Sequence, residues 1–187
     1  MTSLSSPTSI AQNGVFLAGF MGCGKTTVGL LLSQKLAWKF IDLDEQIEQA
    51  EGATIAEIFE RADEAAFRKK EREILGRILQ ETAQEGGRVV ALGGGTFAQP
   101  QNFELLERWG ATTIWLECPV EVLLLRCALM THRPLFRDEA SFRQLYQERL
   151  PFYQRAACTV HTGQSDPEEV VSQVLAAPAL KGVVCRG

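Results

Sequence analysis

Residues 19–29 read GFMGCGKTTVG and follow directly on the apolar run VFLA, 15–18. The next segment carries Val28, Leu31, Leu32 and Leu36 at helical spacing, so four glycines and a lysine sit where a helix ought to begin. Gly19-x-x-x-x-Gly24-Lys25-Thr26 completes the P-loop pattern in the strand-turn-helix setting that the pattern requires. Glycine lets successive backbone N–H groups converge on phosphate oxygens, and the positive end of the helix adds attraction. In such a loop Lys25 reaches the β- and γ-phosphates of a nucleotide, and the Thr26 hydroxyl ligates Mg²⁺. Gly22, Cys23, Gly24 and Thr27 complete the candidate nucleotide set. Cys23, beside a lysine and a helix start, reads as a small space-filling residue rather than an activated thiol.

The totals restrict which partners fit. The chain has 187 residues, 45% hydrophobic and 22% charged, enough for one globular domain with a core. A net charge of -4 argues against nucleic acid, whose affinity depends on many neutralised phosphates. Charge is nevertheless uneven: residues 126–155 hold six arginines against Asp138, Glu139 and Glu148, which suits an anionic small molecule. Five cysteines without a Cys-x-x-Cys pair, and two histidines, make a zinc site improbable and fit reduced thiols in the cytoplasm. Residues 1–13 are Ser/Thr-rich without the features of a secretory or transit signal, so a flexible tail is expected. No apolar run approaches the roughly 18 residues of a membrane span. A monomer is expected.

Along the chain, VFLA (15–18), KFID (39–42), RVVAL (88–92), TTIWL (112–116) and CTVH (158–161) read as strands. Helical patterns fill the gaps. One starts at Thr54 with Glu57 three residues on, another covers about 64–84, a third covers 101–109 before Gly110, and Pro119 opens a fourth at its first turn. Strands alternating with helices imply an α/β fold, a three-layer α/β/α domain around a central five-stranded parallel sheet. The expected domain spans 14–177, with a loop between helices at about 131–140 and a C-terminal tail at 178–187.

The P-loop identifies a phosphate donor but no acceptor. A guanine-reading Asn-Lys-x-Asp is missing, and 187 residues leave little room for a motor or transporter, so a small-molecule kinase remains. The third strand ends in Gly93-Gly94-Gly95, without the aspartate that commonly follows such a strand, so the metal's carboxylate must come from elsewhere. FIDLDEQIE offers Asp42 and Asp44, whose spacing of two along a strand would put both carboxylates on one side. In the alternative, Asp44 caps a helix and Asp42 is solvated. Arg68 has Glu64 and Glu71 at helical spacing, so an ordinary surface ion pair competes with a binding role.

Taken together and in order, GFMGCGKT, DLDEQIE, TIAEIFE, FRKKE, ALGGG, Arg126, RPLF and RLPFY resemble the shikimate kinase family over roughly residues 14–175. The resemblance implies a nucleoside-monophosphate-kinase-like fold and transfer of the ATP γ-phosphoryl group to the 3-hydroxyl of shikimate. It implies Asp42 and Thr26 as the Mg²⁺ residues and Asp44 at the substrate hydroxyl, as base or orienter. Arg68 and Arg149 would hold the shikimate carboxylate, Gly93, Gly94 and Gly95 would form the turn beside it, and Phe59 and Phe67 would wall the pocket. Arg133 would contact the phosphates from a lid, Arg126 would flank the adenine, and HTGQSDP (161–167) would pack near it. Lys25, Asp44 and Arg133 are thus the expected catalytic residues. Three departures, Asp63-Glu64 for Gly-Glu, RPLF for RPLL and Thr26 for Ser, remove no ligand. The alternatives are a related hydroxy-acid kinase, such as a gluconate kinase, and a regulator of the same fold without turnover.

Overall fold

The computed structural model describes residues 14–128 and 138–180. Strands β1 (Gly14–Ala18), β2 (Lys39–Asp42), β3 (Arg88–Ala91), β4 (Thr112–Glu117) and β5 (Cys158–His161) form one sheet in the order β2-β3-β1-β4-β5. Every neighbouring pair is parallel. GVFLA and RVVA are buried at every position, because helices cover both faces of the inner strands. The edge strands β2 and β5 are four residues each and bury only Ile41 and Val160. The result is the expected three-layer, nucleoside-monophosphate-kinase-like arrangement.

Parallel pairing demands crossovers, and the helices that make them start on side-chain caps written in the sequence. Asp42 caps α2 (Leu43–Glu51), Asp63 caps α4 (Glu64–Glu85) and Asp166 caps α8 (Pro167–Ala176). Thr54 and Glu57 close a reciprocal capping box at α3 (Ile55–Arg61). By contrast, α1 (Lys25–Leu36) begins at Gly24 with no side-chain cap and no acid in its first turn. A short 3-10 turn (Thr96–Ala98) precedes α5 (Pro100–Arg108), and α6 (Val120–Ala128) and α7 (Glu139–Tyr153) complete the set.

Several boundaries differ from the sequence reading. α5 starts one residue early because Pro100 supplies its first turn. Pro119 stands just before α6 and offers its carbonyl to the Leu123 N–H. The Asp138 side chain accepts from the Ser141 N–H, so residues 139 and 140 belong to α7 rather than to the loop expected at 131–140. Residues 131–137 lie outside the described part. Leu180, expected in a tail, is fully buried, and its N–H bonds to the Ala177 carbonyl. An apolar side chain close behind an amphipathic helix is carried onto the core with it.

The chain leaves β1 in one direction, toward β2, and leaves β3 in the other, toward β4, on the far side of the sheet. A crevice opens at the carboxyl ends of the strands where such a reversal occurs. The glycine-rich loops after β1 and β3 meet there, with Met21 N 3.5 Å from where a β-carbon on Gly94 would stand, just beyond the bond from the Leu92 N–H to the Leu17 carbonyl of β1. Asp42, in register with Ala91, brings the end of β2 to the same edge.

Leu180→Ala should lower the free energy of unfolding by about 2–5 kcal/mol, the range for emptying a buried leucine site. Urea titration followed by circular dichroism measures this.

Candidate active site

Two clefts meet at the strand ends. The first, about 630 Å³, is lined by residues 21–28, with Asp42, Asp44 and Arg126 around them and Thr162, Ser165, Pro167 and Val170 at its far side. The second, about 480 Å³, is lined by Thr54, Phe59, Phe67, Arg68, Gly93, Gly95 and Arg149 among others. Met21, Asp44, Glu48 and Gly94 line both. Every expected site residue except Arg133, which lies outside the described residues, therefore falls on this pair of clefts.

In the first cleft the loop curls around the uncapped start of α1. Gly24 has φ +98°, a conformation that a side chain would strain. With no side chain to take them, the first N–H groups of α1 are left for an anion, and the helix end adds partial positive charge. The Lys25 ammonium folds back onto its own loop and donates to the Gly19 and Phe20 carbonyls at 2.9 and 3.1 Å. Cys23 is buried, with its sulfur 3.9 Å from that ammonium; it packs where a β-carbon on Gly19 would clash.

Asp42 joins the two helix starts. Its Oδ2 accepts the Thr26 hydroxyl at 2.9 Å, and its Oδ1 accepts the Asp44 N–H at 3.1 Å. This corrects the strand-alternation argument: Asp44 belongs to the first turn of α2, and it is Asp42 that caps that helix. Both carboxylates reach the cleft because the chain turns from strand to helix between them. Thr26 and Asp42 together present hard oxygen donors of the kind Mg²⁺ takes.

Arg126 donates to the carbonyls of Gly22, Thr162 and Gly163, at 3.1, 3.5 and 3.2 Å, and so pins the P-loop to the segment after β5. Its Nη1 also lies 3.9 Å from the Cys118 sulfur; burial pushes that thiol's pKa up, against the pull of the arginine.

The second cleft has two guanidinium groups on one side. A β-carbon built on Gly95 would lie 3.0 Å from Arg68 Nη2 and 3.1 Å from Arg149 Nη2, so a side chain there would press on both forks and push them aside. Phe67 is buried and Phe59 is exposed, their ring centroids 4.5 Å apart, with the Arg68 guanidinium carbon 5.1 Å from the Phe67 centroid. Arg68 makes the ion pairs that its helical spacing allows, yet Glu71 is no surface partner. It is 1% exposed, accepts from Arg68 Nη1 at 3.1 Å, from the Thr96 hydroxyl at 2.8 Å and from Asn102 at 2.9 Å. A buried carboxylate so satisfied is held rigidly and holds Arg68 with it. The sequence offered Glu71 as a surface partner of Arg68; its burial follows from its place in the stripe Phe67, Glu71, Ile74, Leu75, Ile78, which the structure buries.

The sequence model for shikimate kinase matches residues 21–178, most of the chain. The chain belongs to the shikimate kinase family. The shikimate kinase of Persephonella marina is 35% identical over 165 residues, covering 88% of this chain and 98% of that protein. The structure of the shikimate kinase of Acinetobacter baumannii in complex with shikimate superposes with a TM-score of 0.80 at 33% identity, over 91% of this chain and 95% of that one. A gluconokinase from Sinorhizobium meliloti reaches a TM-score of 0.59 at 19% identity, over 92% of each chain, and shares the fold.

Gly95→Ala places a methyl group against both forks, so it should weaken binding of an anionic acceptor about tenfold or more, the scale of a lost charged hydrogen bond. Nucleotide affinity should stay unchanged. Calorimetric titration with each ligand separates the two.

Proposed function

We propose that this protein transfers the γ-phosphoryl group of ATP to the 3-hydroxyl of shikimate, a step in aromatic amino-acid biosynthesis. One observation carries the reading: a P-loop cleft and a cleft bearing two converging guanidinium groups share a wall at Asp44 and Gly94. A donor phosphate and an anionic alcohol held in these clefts would meet beside Asp44.

Phosphoryl transfer asks the protein mainly for positioning and charge stabilisation. The uncapped end of α1 and Lys25 would bind the phosphates, with Lys25 exchanging its loop carbonyls for phosphate oxygens. Thr26 and Asp42 would hold Mg²⁺, which when bound withdraws charge from the phosphate oxygens. Arg68 and Arg149 would grip the acceptor carboxylate through paired N–H groups, which fix its orientation as well as its charge. Phe59 and Phe67 would pack on the ring of the acceptor, and the Gly93–Gly95 turn would let it approach closely. Asp44 would accept a hydrogen bond from the reacting hydroxyl and orient it. Arg133 takes its role, stabilising the phosphates from a lid, from the family resemblance. Gly22, Cys23, Gly24 and Thr27 would supply backbone contacts, and Arg126 would flank the adenine. A cytoplasmic setting suits the reduced thiols of Cys23, Cys118, Cys127 and Cys158, none of them in a disulfide.

The test is turnover with MgATP and a panel of shikimate, quinate and gluconate, with mass detection of products. Phosphorylated shikimate as the main product is expected. Phosphorylated gluconate instead, or ATP binding without any product, overturns the reading. Lys25→Ala should reduce kcat by about 10²–10³-fold, as for removal of a charge-stabilising donor, in steady-state assays.

A further inference from the structure

We propose that Tyr153 is a positioning residue for the acceptor, acting through the Gly94 carbonyl that it shares with Arg149; the proposal rests on the shikimate reading above.

Arg149 and Tyr153 lie four residues apart on α7, so their side chains leave the same face of the helix. Both end on one oxygen. Arg149 Nη1 donates to the Gly94 carbonyl at 3.0 Å, and the Tyr153 hydroxyl donates to it at 2.5 Å. A carbonyl oxygen has two lone pairs, and here each has a donor. The arginine is thereby oriented: with Nη1 on Gly94, its Nη2 comes to the Gly95 side, where Arg68 also presents an Nη2. Phe20 lies beneath the same guanidinium, with 5.5 Å from the ring centroid to the central carbon.

Of the two donors, the phenol is the fixed one. Tyr153 is fully buried and stacked on Trp115, with ring centroids 6.0 Å apart and planes 22° from parallel. Arg149 has a long flexible stem and a second duty toward the acceptor carboxylate. Three consecutive glycines restrict their own backbone little, so the turn takes its shape from outside contacts. Because the peptide unit is planar, anchoring the Gly94 oxygen sets the plane through which Gly95 begins. Burial pushes the phenol pKa up, which keeps the hydroxyl a donor throughout the neutral range.

The competing account is a core tyrosine whose hydroxyl merely needs a partner. Tyr153→Phe separates the two, since it keeps the ring and its stack on Trp115 and deletes only the donor. Wild type, Tyr153→Phe and the remote core variant Leu180→Ala are compared by steady-state kinetics, with shikimate and ATP varied separately, and by thermal melting. The expected result for Tyr153→Phe is a rise in shikimate KM of about five- to tenfold, the effect of one hydrogen bond, with kcat and ATP KM within about twofold. Leu180→Ala should melt earlier and keep its shikimate KM. The proposal is overturned if Tyr153→Phe keeps the wild-type shikimate KM, if both its KM values rise together, or if Leu180→Ala shows the same shikimate rise. A wild-type protein that does not phosphorylate shikimate overturns the proposed function and this inference together; a wild type that does, beside an unaltered Tyr153→Phe, overturns the inference alone.

Discussion

The carboxylate of Asp42 ties together the two helix starts that border the P-loop cleft. One oxygen receives the hydroxyl of Thr26 at the start of α1, and the other receives the N–H of Asp44 at the start of α2. A single short side chain therefore sets the distance between the phosphate-facing helix and the helix that carries the second aspartate. The reach suits aspartate: its carboxylate lies close enough to its own backbone to cap the helix that follows, a role glutamate fills poorly. The residue sits where β2 ends in register with Ala91, so the sheet itself fixes its height in the crevice.

The rest of the site extends from that point in two directions. Toward the nucleotide side, Arg126 ties the P-loop to the segment after β5 through backbone carbonyls. Toward the acceptor side, Glu71 fixes Arg68, and the Gly94 carbonyl engages Arg149. In both directions an arginine side chain on the clefts is oriented by the protein's own carbonyl or carboxylate oxygens. Ordering these side chains during folding spares a ligand that cost later.

Local patterns made much of this legible in the sequence. The P-loop, the capping box at Thr54 and the alternation of strands and helices are short-range signals, and they recur in the structure nearly residue for residue. Asp42 and Asp44 both line the cleft, but not through strand alternation, because no strand periodicity governs residues on either side of a strand end. Glu71 was legible as a partner of Arg68, but its burial and its contacts with Thr96 and Asn102 were not, and Tyr153 in RLPFY carries no local mark of Gly94, since these partners lie 25 to 59 residues away. Leu180 shows the same limit at the end of the helical array. Contacts between distant segments reveal themselves only once topology has brought them together.

The brevity of the two outermost strands has a colloidal consequence. An open sheet is vulnerable to strand exchange wherever a long flat edge leaves its ladder unpaired. Here β2 and β5 each run four residues, with exposed Lys39 at one margin and exposed His161 at the other. Such margins give a stray chain little to template on, so this sheet's apolar centre is shielded from aggregation by the shortness of its borders.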